Sequence, residues 1–333
     1  MGLFDSLRSL LKKSSDTTDS GSASDDADKK ITKGAAKKTG KAAKPAKQSI
    51  AAARTKCDVE GRFERMRSSV SGTMGNFFVA RDRLLKRVVG VKVCDPEKVD
   101  LFEARFKGLK KPSEGEIAMQ MHHPRVMETL EHGETTRGER YLVMEYIEGP
   151  SLQQVVQAAD AEGLAGKRVN LIREMAEAIQ YVHSKEFIHR DICPRNFICL
   201  PDLEGLKLID FGLTVPATAP FMAPGNRTGT PLYMSPEIVR RKSTDKRVDI
   251  FSFGVSCYCL LTFEFPWNVT ETTGRAALQH DTNPPTDIFV RRPDLHPMLG
   301  RAVMSCMQPR AEQRTASMEV FLRQISRVEQ ETA

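Results

Sequence analysis

The chain has 333 residues, of which 40% are hydrophobic and 28% charged, values that exclude collagen, coiled coil and wholesale disorder and leave room for a sizeable core. Its net charge of +7 is uneven: residues 1–56 carry 13 Lys and Arg against 6 Asp, so the whole excess lies there and the rest is balanced. The longest weakly polar run, Ile250 to Phe263, has 14 residues between Asp249 and Glu264 and is too short to span a bilayer.

In chain order, Leu3, Phe4, Leu7, Leu10 and Leu11 recur at helical spacing and predict a short amphipathic helix that docks on a partner, on the body or on a membrane surface. The Met-Gly-x-x-x-Ser start also fits the myristoylation pattern at Gly2. Asp5 and Arg8 break the opening apolar stretch, so no signal peptide is expected. Between Lys12 and Ser49 the only bulky apolar residue is Ile31, and such a stretch cannot offset its ordering entropy by burial. Residues 1–56 are therefore expected to be a disordered basic tether, acidic and hydroxyl-rich over Ser14–Asp28 and rich in Lys, Ala and Pro over Lys29–Lys56. The basic run reads as a solvated tail or as a contact for nucleic acid or an acidic partner. Seven cysteines, with no CxxC pair, suit neither a disulfide framework nor a zinc site and point to a reducing, cytoplasmic location.

From Cys57 the texture changes. Three β-branched or aromatic runs, Arg62–Val70, Asn76–Asp82 and Arg87–Cys94, predict a meander of strands. Longer helical patterns follow, among them Val169–Ser184 and Val248–Thr262. Strands first and helices later indicate an α+β protein with two segregated parts. In the first part SGTMG reads by itself as a hairpin turn. Lys92 sits among Val89, Val91 and Val93, and an ammonium on such a buried strand needs a carboxylate.

The segment Phe187–Ile198 reads FIHRDICPRNFI, Asp210-Phe211-Gly212 comes fourteen residues after Asn196, and Ser235-Pro236-Glu237 follows. With Lys92 ahead of them, these motifs resemble the protein-kinase signature set in order and spacing, most closely that of bacterial Hanks-type, eukaryotic-like Ser/Thr protein kinases. The resemblance covers about residues 62–325 and implies a two-lobed protein-kinase fold, with a small β-rich N-lobe over residues 57–147 and a larger helical C-lobe over 148–333.

It also implies roles. Gly72 and Gly75 fall on the second and third glycines of the Gly-rich phosphate loop, while Val70 stands at the first and Phe77 where a valine is usual. Lys92 matches the strand lysine that contacts the α- and β-phosphates of ATP, and Glu114, nine residues before His123-Pro124, matches its helix partner, with Glu116 the nearby competitor. In YLVMEYIEG, Met144 matches the gatekeeper, and adenine would meet the backbone of Glu145 and Ile147, with Ile198 completing the nucleotide site. Asp191 matches the residue that accepts or orients the substrate hydroxyl proton, and Asn196 with Asp210 matches the ligands of Mg²⁺. Cys193 departs from the pattern, because Ser/Thr kinases usually carry a lysine there; Arg195 matches a position from which many tyrosine kinases supply an arginine instead. GTPLYMSPE favours Ser/Thr substrates, with Thr230 packing on the catalytic aspartate. Arg190 implies regulation by activation-loop phosphorylation, with Thr228 as the leading acceptor. Asp249, Glu237 and Arg314 match scaffold positions, and Trp267 reads as core.

The expected function is phosphoryl transfer from ATP, with Mg²⁺, to Ser/Thr of protein substrates, with autophosphorylation on the run Ser14, Ser15, Thr17, Thr18 and Ser20. A pseudokinase that recruits partners through its tail is the alternative, favoured by Val70, Gly90 and Cys193. Nucleic-acid binding as the main role rests on the tail alone.

Overall fold

The structure, a computed structural model, describes residues 56–67, 69–268 and 276–332. The expected helix at Leu3–Leu11, the Gly2 site and the tether up to residue 55 lie outside the described residues.

Asp58 accepts a hydrogen bond from the Gly61 amide and so caps one helical turn, α1 (Val59–Arg62). The strand expected over Arg62–Val70 is thereby reduced to two short pieces, β1 (Phe63–Arg65) and β2 (Val70–Ser71). Arg62 is drawn out of the strand by tertiary charge: its guanidinium reaches Asp82 and Glu131 at 2.8 Å each. The next two runs become strands as their composition predicts, giving β3 (Gly75–Asp82) and β4 (Arg87–Cys94). Two short helices follow, α2 (Pro96–Glu103) and α3 (Glu114–Ala118), then β5 (Thr129–Glu134) and β6 (Arg140–Glu145).

These strands form one antiparallel sheet in the order β1-β3-β4-β6-β5, with β2 paired to β3. Side chains alternate between its faces. Phe78, Ala80, Val89, Val91, Tyr141 and Val143 fall on one face and pack with Val59 and Phe63 into a buried cluster. The register sets Phe77 opposite Lys92, Lys92 opposite Leu142 and Gly90 opposite Met144, so these residues share the other face.

The second part is helical, as expected. It contains α4 (Leu152–Ala158) and α5 (Arg168–Ser184), then two hairpin-like pairs: β7 (Phe187–Ile188) with β10 (Val215–Pro216), and β8 (Phe197–Cys199) with β9 (Leu206–Leu208). After β10 come α6 (Ala219–Met222), α7 (Pro236–Val239) and α8 (Arg247–Thr262), then α9 (Ile288–Arg291), α10 (Pro297–Cys306) and α11 (Met318–Gln324). Every residue of α8 from Val248 to Leu261 is buried, which explains why this segment is apolar all round rather than amphipathic. Trp267 is core, stacked on His280 at 4.2 Å between ring centroids and donating to the Asn283 carbonyl. Among the described residues no helix is long and apolar enough to cross a membrane.

Arg314 is buried and joins Glu237 at 2.8 Å while donating to the carbonyls of Arg247 and Gln308. Removing one partner of a buried pair leaves the other charge uncompensated. Arg314→Leu is expected to lower stability by about 3–5 kcal/mol, read as a fall in the urea midpoint. Arg323→Ala, which breaks the exposed pair with Glu319, should leave the midpoint unchanged.

Candidate active site

The cleft face of the sheet delivers the first component. Lys92 on β4 is buried, and its Nζ lies 2.6 Å from Glu114 Oε1 and 2.8 Å from Asp210 Oδ1. Of the two candidate carboxylates only Glu114 reaches the lysine. Glu116 instead closes a capping box with Ser113, whose hydroxyl accepts from the Glu116 amide while the Glu116 carboxylate accepts from the Ser113 amide. Burial alone would favour a neutral Lys92, but the charges of Asp210 and Glu114 outweigh it and raise the ammonium's pKa above the ordinary lysine range. Burial, assisted by repulsion from Asp210, pushes Glu114 up despite Lys92. Burial works the same way on Asp210, yet Lys92 and the Gly212 amide overcome it and hold this carboxyl down at about 2.

The second component is a pair of backbone devices. Asp249, wholly buried in the first turn of α8, accepts from the amides of His189 and Arg190 at 2.8 Å each and from His183 Nε2 at 2.9 Å. That carboxylate fixes the chain just before Asp191. Arg190 and Asp210 both adopt left-handed backbone, φ 65° and 64°, a strain that non-glycine residues carry mainly where the surrounding structure imposes it. The β8–β9 register pairs Phe197 with Leu208, and the Ile209 amide donates to the Asn196 carbonyl at 2.9 Å, so Asn196 and Asp210 emerge from adjacent strand ends.

At the centre, Asp191 is buried and fully engaged. Oδ1 accepts from the Thr230 amide at 2.9 Å and the Thr230 hydroxyl at 2.6 Å; Oδ2 accepts from Asn196 Nδ2 at 3.0 Å. Committing the Asn196 NH₂ group to Asp191 leaves its carbonyl oxygen as a hard ligand, and the Lys92 and Gly212 bonds to Asp210 Oδ1 leave Oδ2 as another. This donor set fits Mg²⁺, which takes oxygen from one or two protein groups and the rest from phosphate and water. Arg195 Nη2 lies 3.5 Å from Asp191 Oδ2 and 3.3 Å from both the Thr230 and Thr73 hydroxyls. Cys193 is buried against Thr230, and burial, followed by the Asp191 charge, pushes its thiol up to about 12. A neutral thiol supplies no cation, so Arg195 is the cationic side chain in contact with Asp191.

The nucleotide-side residues also find their places. Gly72 donates to the Gly75 carbonyl at 2.7 Å, closing the β2–β3 turn, and a Cβ at Gly75 would sit 2.3 Å from the Val93 carbonyl oxygen, so only glycine fits. Met144 is buried opposite Gly90. Glu145 ends β6; its amide donates to the Glu128 carbonyl and its carboxylate receives Lys207 and the Glu128 amide. Ile147 follows β6 outside any element, and Ile198 on β8 bridges Ser151 at the start of α4. Thr228 and Arg190 are both buried, and Arg190 Nη2 donates to the Phe221 carbonyl at 2.8 Å and the Thr244 hydroxyl at 3.0 Å.

Two contacts escaped the motif reading. Met74 reaches across the cleft, where a Cβ on Gly212 would lie 2.7 Å from its Cγ. Phe77 lies over Gly90: a Cβ at Gly90 would meet Phe77 Cε2 at 2.7 Å and Met144 Cγ at 3.0 Å. The two departures, a ring at 77 and no side chain at 90, compensate each other in volume. The signal was present in the alternation of β3 and β4, which places both on one face.

Residues 64–325 match the family described as protein kinase domain. Among curated relatives, the chain is similar to serine/threonine-protein kinase pkn3 of Myxococcus xanthus, 29% identical over 78% of this chain and 48% of that protein. It is also similar to serine/threonine-protein kinase PrkC of Bacillus subtilis, 29% identical over 67% of this chain and 33% of the relative. For serine/threonine-protein kinase PknB of Mycolicibacterium smegmatis the identity is 30% over 73% of this chain and 39% of the relative. The chain thus matches about half or less of the length of these relatives.

Replacing Lys92 by Met would leave Glu114 and Asp210 facing each other without a cation. In the native protein the depressed Asp210 pKa means that its stabilising contribution is lost only as pH falls towards about 2. Without the lysine the two carboxyls are expected to have raised pKa values, whose contribution is present at low pH and lost as pH rises. Lys92→Met should therefore destabilise by about 3 kcal/mol at pH 8 and clearly less at pH 5. Melting curves at the two pH values check this; an equal or reversed gap would contradict it.

Proposed function

The chain belongs to the protein kinase family, and we propose that it transfers the γ-phosphoryl group of ATP to Ser/Thr hydroxyls of protein substrates. The observation that carries this reading is Lys92 held at once by Glu114 and Asp210. These residues lie far apart in sequence, and no structural need of the sheet requires an ammonium there. A cation fixed between carboxylates in a cleft is a ready anchor for phosphate oxygens.

In this reading Asp191 receives the proton of the attacking hydroxyl as its oxygen bonds to the γ-phosphorus and the bond to the ADP oxygen breaks. The Thr230 and Asn196 bonds hold the carboxylate in one orientation, so little reorganisation is needed at the moment of transfer. Asn196 Oδ1 and Asp210 Oδ2 would hold Mg²⁺, which when bound neutralises charge on the phosphate oxygens. Thr230 seated on Asp191 supports short hydroxyl side chains as acceptors, and the hydroxyl-rich run from Ser14 to Ser20 extends the reading to autophosphorylation. Adenine would lie on the cleft face, against Phe77, Met144 and Ile198, with the backbone of Glu145 and Ile147 at its edge.

Arg195 takes the γ-phosphate role that Cys193 leaves open. Its contact with Asp191 and Thr230 puts a guanidinium beside the acceptor site, where charge develops during transfer. The second reading, a pseudokinase, is favoured by the neutral Cys193 thiol where a lysine is usual.

Purified protein with labelled ATP and Mg²⁺ tests both. Phosphorylation of a Ser/Thr peptide that Asp191→Asn abolishes supports the enzyme; wild-type protein as inactive as Asp191→Asn supports the pseudokinase. In the active protein, Arg195→Ala is expected to lower kcat by about 10²-fold with little change in KM for ATP. Adding Cys193→Lys should restore part of that loss, whereas an unchanged kcat in Arg195→Ala would make Arg195 a solvated loop residue.

A further inference from the structure

The segment between Asp210 and Glu237 is tied down at several points by aromatic packing and by hydrogen bonds to neutral groups. Phe221 on α6 packs its ring on Phe106 with centroids 5.4 Å apart, and Phe106 meets Phe102 edge-on at 5.4 Å. All three rings are buried. Phe102 lies on α2 and Phe106 in the 3₁₀ turn that follows, so the stack fastens the segment to α2 and its turn, the stretch that precedes α3 and Glu114. Nearby, Arg105 Nη1 donates to the Arg227 carbonyl at 3.3 Å.

The same Phe221 anchors a buried cation. Its carbonyl accepts from Arg190 Nη2, which also donates to the Thr244 hydroxyl. Backbone bonds from Thr244 to Met222 at 2.9 Å and from Gly225 to Arg241 at 3.0 Å hold the strip on either side. At the far end Thr230 sits on Asp191 through both its amide and its hydroxyl. Thr228 itself is 7% exposed, and its hydroxyl is buried with no hydrogen-bond partner among the described residues. A side chain in that position is not offered to a second kinase molecule.

We infer that Phe221 and Phe106 are positioning residues: their contact, with the Arg190 bond to the Phe221 carbonyl, holds this segment so that Thr230 is seated on Asp191 without prior phosphorylation. The inference rests on the kinase reading. In the competing arrangement a phosphate on Thr228 would meet Arg190, whose Nε carries no partner among the described residues. That arrangement requires the segment first to open and expose Thr228. The packed arrangement needs no opening, since the aromatic pair and the Phe221 and Thr244 acceptors of Arg190 Nη2 already hold the strip.

The test uses the full chain, treated with phosphatase and shown by mass spectrometry to be unmodified between residues 211 and 236. Transfer to a Ser/Thr peptide should start without a lag, at the rate of protein preincubated with Mg²⁺ and ATP. Phe221→Ala and Phe106→Ala should each lower kcat by about 10-fold or more with KM for ATP unchanged, because a displaced segment misplaces the acceptor site. Phe221→Leu should keep most of the rate. In both alanine variants the amides of residues 219–230 should exchange faster with deuterium than in the parent. A lag that ends when Thr228 is phosphorylated, or a Thr228→Val protein without activity, overturns the inference. Absence of transfer from phosphorylated and unphosphorylated parent alike would instead count against the kinase reading. Deuterium exchange then decides the positioning role alone, and unchanged exchange in Phe221→Ala would overturn it.

Discussion

One ammonium group organises this molecule. Lys92 stands on the cleft face of the sheet, Glu114 on a short helix and Asp210 in the helical half, and both carboxylates lie within 2.8 Å of Lys92 Nζ. A lysine buried in a strand cannot remain charged without such partners. The requirement therefore fixes the position of α3 relative to β4 and of the strand end after β9 relative to both. The raised Glu114 and depressed Asp210 show that the pair is not symmetric: burial dominates at the first, while the Gly212 amide reinforces the lysine at the second. Asp210 is thus the carboxylate of the two that stays ionised to lower pH.

Around that point the design is one of fixed acceptors. Asp249 holds the backbone before Asp191, Thr230 and Asn196 hold its carboxylate, and left-handed backbone at Arg190 and Asp210 is stabilised by the bonds on either side. Each device restricts motion of a charged group that would otherwise be reoriented by solvent. Arg195 is more exposed than its neighbours, and its reach from Thr73 to Thr230 links the turn after β2 to the segment that carries Thr230.

Much of this was legible in the sequence, and the exceptions have physical causes. The runs Asn76–Asp82 and Arg87–Cys94 became strands, as β-branched and aromatic composition suggests, and Val169–Ser184 and Val248–Thr262 became helices, the last buried on every side. Arg62–Val70 did not, because Asp58 caps a turn and Arg62 is recruited by Asp82 and Glu131, partners remote in sequence. The glutamate helix is only five residues long, starting behind Pro112 and Ser113, and Gly115 in it lies so close to His132 that a Cβ would stand 2.5 Å from the ring. Ordered motifs located Lys92, Asp191, Asn196 and Asp210, since their chemistry tolerates few substitutes. They gave no hint of Met74 against Gly212 or of Phe221 against Phe106, which depend on packing between distant segments.

In the proposed function the Lys92–Asp210 cluster prepares a site for a nucleotide phosphate with Mg²⁺. Calorimetric titration of ADP into wild-type and Asp210→Asn protein, with Mg²⁺ and with EDTA at equal ionic strength, tests it most directly. Mg²⁺ is expected to strengthen ADP binding to the wild type, and Asp210→Asn to remove most of this gain. Wild-type protein that binds ADP equally well in EDTA, or an Asp210→Asn variant that keeps the full Mg²⁺ effect, would contradict it.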